Sequence, residues 1–325
     1  NNTITGIFGQ IIEQKQSKLT MMKAEAEPDK PAIKSMNFKI LHFRKAIKTI
    51  NDFDNEIVAV SDLDGIKGIG KGLKTRIQEI LDTGTLQELK TDPKEVQLLK
   101  DSGELQSVTG IGPSKAYKLT KQNVSLKDLL DEIKKYKRGS LIIQKSKLLK
   151  DLTHHQIIGL KYYKDFLNRI PRKEIDDFNT ILHKEIPKIG ASMNKNIIFS
   201  ICGSYRRKVK NSGDIDLLLT VHGENTIDSK LLHNIVDSLK KQGIIIDNLT
   251  ELGITKYMGV CRVPKYTKSR RLDIRYVKYD SYIPALLYFT GSAKENVRLR
   301  NIAITKGYKI NEYGFYKLPD KKDKN

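Results

Sequence analysis

The sequence predicts an α+β fold: an all-helical N-terminal half followed by a mixed half in which a β-sheet is flanked by helices. Three observations carry this expectation. Apolar residues of the first half recur at helical spacing, as Phe38, Leu41, Ala46 and Ile50 do. Two glycine turns in that half each open a further helix. In the second half, apolar and polar residues alternate with period two around Ile215–Leu219 and Arg270–Tyr276, as in half-buried strands.

Taken in order, residues 1–30 read as a short helix and a polar connection rich in Glu and Lys, and a second helix covers Asn37 to Ile50. Leu63-Asp64-Gly65-Ile66-Lys67-Gly68-Ile69-Gly70-Lys71-Gly72 then leads into an amphipathic helix through Leu81. Val108-Thr109-Gly110-Ile111-Gly112-Pro113-Ser114 leads into another, with Ala116, Tyr117 and Leu119. Each is a Gly-Ile-Gly hairpin opening a helix. Glycine lets backbone amides approach a ligand, and the helix N-terminus adds a positive dipole end. Such a hairpin binds one phosphate of a DNA backbone without reading sequence, with a monovalent cation held by carbonyls. Gly68, Gly70, Gly110 and Gly112 are the contact positions. A single Gly-x-Gly is an ordinary tight turn; the repetition makes the signal specific.

Leu152 to Glu174 reads as a helix ending at Arg169-Ile170-Pro171, with His154 and His155 inside it. These histidines have no i, i+4 partner and no nearby Cys, so packing or capping is expected of them rather than metal binding. A long helix follows Pro171, then the strand Ile197–Ile201, the Asp-x-Asp strand, a helix from Ser229 to Lys241, and strands ending at Val277. From Ser281 the chain reads as helical again, with polar turns around Gly307 and Gly314.

The chain has 325 residues, room for two or more domains, and 59 Lys and Arg against 38 Asp and Glu give a formal charge of +21. Abundant Lys, Ile and Asn account for part of that excess, but its size points to a polyanionic partner. Nucleic acid fits better than a membrane: no apolar run approaches the roughly 20 residues of a spanning helix, and no signal peptide opens the chain. Cys202 and Cys261 fall in apolar strands, outside any disulfide framework or thiolate site, as in a reducing intracellular setting.

The chemistry concentrates between Ile197 and Asp273. The apolar run Ile197–Cys202 is followed by Gly203-Ser204-Tyr205-Arg206-Arg207, and a short basic turn leads to Ser212-Gly213-Asp214-Ile215-Asp216-Leu217. Residues two apart on a strand share a face, so Asp214 and Asp216 project together while Ile215 and Leu217 turn inward. Asp273, on the strand Arg270–Tyr276, supplies a third acid. Three carboxylates on one face repel unless a cation sits among them, and oxygen-only ligands suit Mg²⁺, which also takes substrate phosphates. An isolated Asp-x-Asp is most often a solvated strand edge. Here Gly203 permits close approach, Ser204 offers a hydroxyl and Arg207 a fork of donors for phosphate oxygens. Arg271 and Arg275 share the face of Asp273 and can orient it or its neighbours.

These residues resemble the family X DNA polymerases, most closely the polymerase beta branch. The resemblance covers about Asn37 to Leu318 and includes His154-His155-Gln156-Ile157-Ile158-Gly159-Leu160-Lys161-Tyr162, Tyr288-Phe289-Thr290-Gly291-Ser292 and Gly307-Tyr308-Lys309-Ile310-Asn311-Glu312-Tyr313. It implies a helical lyase-like domain over 1–95 with the first hairpin, a thumb over 96–169 with the second, a nucleotidyltransferase palm over 170–281 and a small fingers subdomain over 282–325. It implies that Asp214, Asp216 and Asp273 bind two Mg²⁺ ions, with Mn²⁺ as a substitute, and that Asp273 receives the proton of the primer 3′-hydroxyl. Ser204, Arg207 and Gly213 match triphosphate contacts, with Arg169 a more distant one. Tyr288, Phe289 and Gly291 match the wall against the sugar, Asn296 a minor-groove contact to the incoming base, and Arg300 a contact to the template. Arg271 and Lys39 belong with the DNA contacts. The carbonyls of Asp64, Ile66 and Ile69, and of Gln106, Val108 and Ile111, fall at the family's positions for Na⁺ or K⁺.

The implied activity is template-directed filling of short gaps in base excision repair. The chain would act as a monomer on gapped or nicked duplex DNA and dNTPs, with other repair proteins as partners. A nuclear address fits, and a cytoplasmic or virion one if the source is viral. Template-independent terminal transfer is the alternative, because the same triad serves it. Against that stand Tyr288-Phe289, where terminal transferases of the family carry glycine-tryptophan, and the lack of a BRCT-like N-terminal extension. A non-catalytic DNA-binding protein built on the hairpins is a third reading, opposed by the intact triad. The chain also departs from the family pattern. Arg76 stands where the family's lyase lysine forms a Schiff base, and a guanidinium cannot serve as that nucleophile. Gly72 replaces a lysine of the 5′-phosphate pocket, and Phe43 a tyrosine. Lyase activity is therefore expected to be weak or absent, with Lys71 and Lys74 as candidate substitutes. Ala293 replaces an acid of the nucleotide pocket and Lys208 a glycine.

Overall fold

A computed structural model describes residues 1–25, 27–89, 93–135 and 146–319. The fold is α+β, and the chain divides into two compact units, Asn1–Lys150 and Asp151–Asn325. That boundary lies inside the stretch 96–169.

The first unit is helical. Its helices are α1 (Asn2–Ala24), α2 (Lys30–Asn51), α3 (Lys71–Thr83), α4 (Pro93–Gln106), α5 (Pro113–Lys121) and α6 (Leu126–Lys134). α1 is longer than its sequence suggests. Ile4, Phe8, Ile11 and Leu19 keep one buried stripe, while the intervening Gln, Glu and Lys are good helix formers on the outer face. That stripe packs on Phe43, Ala46 and Ile50 of α2 and Ile77 and Ile80 of α3; Phe8 and Phe43 meet edge to face at 5.1 Å. α2 starts where Asp29 accepts a hydrogen bond from the Ala32 amide at 2.9 Å. The Ser125 hydroxyl and Asp128 carboxylate cap α6 reciprocally. α4 and α6 lie where the sequence announces no element.

The two glycine hairpins share their geometry. Gly68 and Gly110 take positive φ, +103° and +91°. Gly70 and Gly112 open α3 and α5 with the same backbone, φ −83° and ψ 173°, and no capping side chain. Both helix starts therefore leave their first amides without a side-chain acceptor.

The second unit holds α7 (His154–Lys161), α8 (Tyr163–Phe166), α9 (Arg172–Ser192), α10 (Gly203–Arg206), α11 (Leu231–Lys241), α12 (Tyr282–Thr290) and α13 (Ala293–Thr305). Strands β2 (Ile197–Ile201), β4 (Ile215–Val221), β7 (Arg270–Tyr276), β6 (Lys256–Cys261) and β5 (Ile245–Asn248) form its sheet in that spatial order. β4 and β7 run parallel and the other pairs antiparallel. On one face, Ile215, Leu217, Leu219, Leu272 and Ile274 pack against Phe178 and Leu182 of α9 and Ile235 and Leu239 of α11. On the other, Leu218 packs against Tyr282 and Ala285 of α12. A short pair, β1 (Ile170–Pro171) with β3 (Asn211–Ser212), ties the start of α9 to the basic turn.

Arg270 fastens β7 to α9. Its guanidinium donates to Glu174 from Nε at 2.8 Å and Nη2 at 2.7 Å, with both residues buried. The last segment departs from the helical reading. After α13 comes an antiparallel hairpin, β8 (Tyr308–Asn311) and β9 (Gly314–Lys317). Its turn is made by Asn311, whose Oδ1 accepts from the Tyr313 and Gly314 amides. Among the described residues, no helix is long and apolar enough to cross a membrane.

Candidate active site

β4 and β7 are parallel neighbours in register, with Asp216 beside Asp273, and Asp214 immediately precedes β4. One carboxylate oxygen from each of the three lies within 4.8 Å of the others. The alternation that buries Leu272 and Ile274 turns Arg271, Asp273 and Arg275 to the opposite face. The Arg271 guanidinium donates to Asp214.

Electrostatics at this cluster are unbalanced. Burial, then the charges of Asp214 and Asp273, pushes the Asp216 carboxyl up to about 7. Burial, then Asp214, pushes Asp273 up to about 6. Asp273 Oδ1 is buried without a hydrogen-bond partner. An orphaned carboxylate oxygen beside two further acids fits a divalent cation, which oxygen ligands suit. Asp214, Asp216 and Asp273 could hold one. A cavity of about 120 Å³ opens here, lined by Cys202, Asp216, Lys256, Asp273, Arg275 and Phe289, among others.

The turn after β2 closes on this cluster. The Cys202 amide donates to the Asp216 carbonyl at 2.7 Å. Gly203 has φ +56°, and a Cβ there would collide with Asp216 Oδ2. Only glycine admits this approach. Ser204 Oγ is 2.8 Å from Ser212 Oγ. Arg207 donates to the Thr290 carbonyl, and its Nη1 would lie 3.2 Å from a Cβ on Gly291. Arg169 donates from Nη2 to the Asn211 carbonyl at 2.8 Å, and its Nη1 would stand 3.2 Å from a Cβ on Gly213. Tyr288 and Phe289 meet edge to face at 5.0 Å; the Asn296 amide donates to the Tyr288 carbonyl at 2.8 Å, and the Arg300 guanidinium lies 5.2 Å from the Tyr288 ring. The nucleotide-site residues singled out from sequence thus gather around one region of the second unit. Lys256, which reaches the acid cavity, carried no motif; only its place opposite Arg275, where β6 pairs with β7, reveals it.

His154 Nε2 is 2.8 Å from the Asn248 carbonyl, and His155 Nε2 is buried without a hydrogen-bond partner. Neither joins the acids in a cluster of metal-binding groups among the described residues.

In the first unit, the Ile69 amide donates to the Ile66 carbonyl and the Ile111 amide to that of Val108. Those carbonyls keep a second lone pair. Gly68 and Gly70 border a cleft of about 680 Å³ that Lys15, Lys39, Phe43 and Arg76 also line. Lys71 and Lys74 are outside that lining, and Lys74 pairs with the Asp64 carboxylate.

A family model described as DNA polymerase beta palm matches residues 169–279. One described as a helix-hairpin-helix domain matches 29–86. A third, described as DNA polymerase beta thumb, matches 285–325, so the segment called fingers above carries the thumb's name there. Among curated proteins, DNA polymerase lambda of Arabidopsis thaliana is 30% identical over 97% of this chain and 54% of its own length. DNA polymerase lambda of Rattus norvegicus is 33% identical over 85% of this chain and 45% of its own. A Bacillus subtilis protein named DNA polymerase/3′-5′ exonuclease PolX is 25% identical over 85% of this chain and 45% of its own. The chain spans about half the length of these relatives.

Proposed function

The chain belongs to the family X DNA polymerases, and from that premise we propose that it fills short gaps in duplex DNA during base excision repair, copying a template with dNTPs. One observation carries the reading: Asp216 and Asp273 stand side by side on parallel strands, with Asp214 in reach and the Gly203 turn against them.

Asp214, Asp216 and Asp273 would hold two Mg²⁺ ions, which when bound neutralise the charge of the transferring phosphoryl group. The protein's own part is binding, orientation and proton removal. Asp273 accepts the proton of the primer 3′-hydroxyl. Arg271 holds the Asp214 carboxylate in place. Ser204, Arg207 and the Gly213 backbone bind the triphosphate, with Arg169 further out. Tyr288, Phe289 and Gly291 form the wall that a 2′-hydroxyl would strike. Asn296 reaches the incoming base and Arg300 the template.

The backbone amides where the two hairpins open α3 and α5 hold DNA phosphates irrespective of sequence, with Na⁺ or K⁺ between the carbonyls. A chain of charge +21 suits such a polyanion. The test is dNTP incorporation on a duplex with a one-nucleotide gap, with and without a 5′-phosphate, against Asp273→Asn. Template-dictated extension that the variant loses is expected. Extension of single strands regardless of template, or an undiminished variant, overturns the reading.

A further inference from the structure

The sheet of the second unit ends on an open edge. β2 is its outermost strand and pairs with β4 alone. Hydrogen bonds at both ends of that ladder fix which backbone groups of β2 face its neighbour. The His222 amide donates to the Asn196 carbonyl at 2.8 Å, and the Cys202 amide to the Asp216 carbonyl at 2.7 Å. In an antiparallel ladder such bonded pairs recur at every second residue. Ile198 and Ser200 therefore bond to β4, while Ile197, Phe199 and Ile201 turn their N–H and C=O groups outward. Among the described residues, no other backbone segment bonds to those outward groups. A row of this kind is a template for one more strand.

An opening of about 260 Å³ lies along this edge, bordered by Arg172 and His183 of α9, Phe199 of β2, Tyr205 and Arg206 of α10, and Lys208. Among the described residues no carboxylate lines it, and the Tyr205 hydroxyl occupies Asp176 at 2.8 Å. The cations keep free donors. Arg172 donates to the Tyr205 carbonyl at 2.8 Å and lies 4.2 Å from that ring. Arg206 donates from Nε to Thr290 Oγ1 at 3.1 Å. Lys208 is exposed and takes φ +62°, a left-handed backbone that glycine enters without strain and lysine does not. Phe199, beside the His183 ring at 4.7 Å, adds an apolar patch.

We propose that β2 takes up an extended acidic peptide of a partner protein as an added strand. The outward N–H and C=O groups of Ile197, Phe199 and Ile201 hold its backbone, and its carboxylates meet Arg172, Arg206 and Lys208. Strand addition to a free edge draws affinity from main-chain bonds and selectivity from the side chains beside it. The outward row alternates donors with acceptors. A peptide backbone matches both, whereas nucleic-acid phosphates only accept and are repelled by the carbonyls. A second copy of this chain carries the same cations and the same basic excess, so it brings no matching carboxylates to this edge. The inference is independent of nucleotidyl transfer.

The probe is a short fluorescein-labelled peptide of alternating Val and Asp, acetylated and amidated at its ends. Its binding to the full chain is followed by anisotropy, and amide hydrogen exchange over Ile197–Ile201 by mass spectrometry. Saturable binding that slows exchange in β2 is expected. Replacing each Asp of the probe with Asn, or methylating the nitrogens along one of its edges, should weaken binding by about tenfold or more. Lys208→Gly relieves the backbone and should weaken binding about fivefold without lowering the thermal unfolding midpoint. Exchange in β2 that the peptide leaves unchanged overturns the proposal, as does equal binding of the Asn or methylated probes or an undiminished Lys208→Gly. A single-stranded oligonucleotide that displaces the peptide and slows the same amides also overturns it, in favour of a nucleic-acid contact. The modified probes need no variant, and gap filling by the same preparation tests the polymerase reading separately.

Discussion

At Asp216 the sequence shows an acid between two apolar residues; the structure shows what that position does to it. The carboxyl is half-buried beside two other acids and pushed up to about 7, so the folded chain holds a proton that the unfolded chain releases near pH 4. Without divalent metal, this group's contribution to stability is full below about pH 4 and is lost as pH rises to about 7. Asp216→Asn is expected to abolish synthesis and yet to raise the stability of the metal-free protein at pH 8, by on the order of 2 kcal/mol. Thermal unfolding in EDTA at pH 5 and pH 8 checks it: the parent loses more stability between the two than the variant does. Gly203→Ala should reduce synthesis tenfold or more, since a Cβ meets Asp216 Oδ2 at a φ of +56°; a variant with unimpaired kcat would contradict this. The triad and the Gly-Ser turn were legible because each has a short local pattern. Lys256 was not, because a lone lysine on a strand acquires meaning only from what tertiary packing sets beside it.

The elements were legible where periodicity is strong, as in α2, α9 and β7, and where glycine marks a helix start. They were not where short amphipathic segments follow one another, as in α4 and α6, or where a hairpin begins just past a helix, as β8 does after α13. In both cases the local signal is shorter than the window that would reveal it. Strand β7 shows how an element can serve both stability and site. It carries Arg270, buried against Glu174 of α9, and three residues later Asp273. Arg270→Ala leaves the Glu174 carboxylate buried without its partner, at a cost of about 3–5 kcal/mol. Replacing both, as in Arg270→Met with Glu174→Leu, should recover most of that loss. Urea unfolding of the single and double variants reads the difference; equal destabilisation would show that the pair contributes nothing specific.

For the whole molecule, 59 basic against 38 acidic residues predict that binding to gapped duplex weakens by roughly tenfold or more between 50 and 200 mM salt as counterions are released. Fluorescence anisotropy over that range measures it, and a flat response would remove the polyanion argument. The parallel pairing of β4 with β7 reaches beyond catalysis. Parallel neighbours cannot be joined by a tight turn, and here α11, β5 and β6 intervene in the chain. The acidic trio therefore depends on segments far apart in the sequence finding each other, a kind of contact that slows folding. On the ribosome, Asp214 and Asp216 emerge long before the strand that completes them, so a nascent polypeptide released short of Asp273 could bind DNA through its hairpins while being chemically inert.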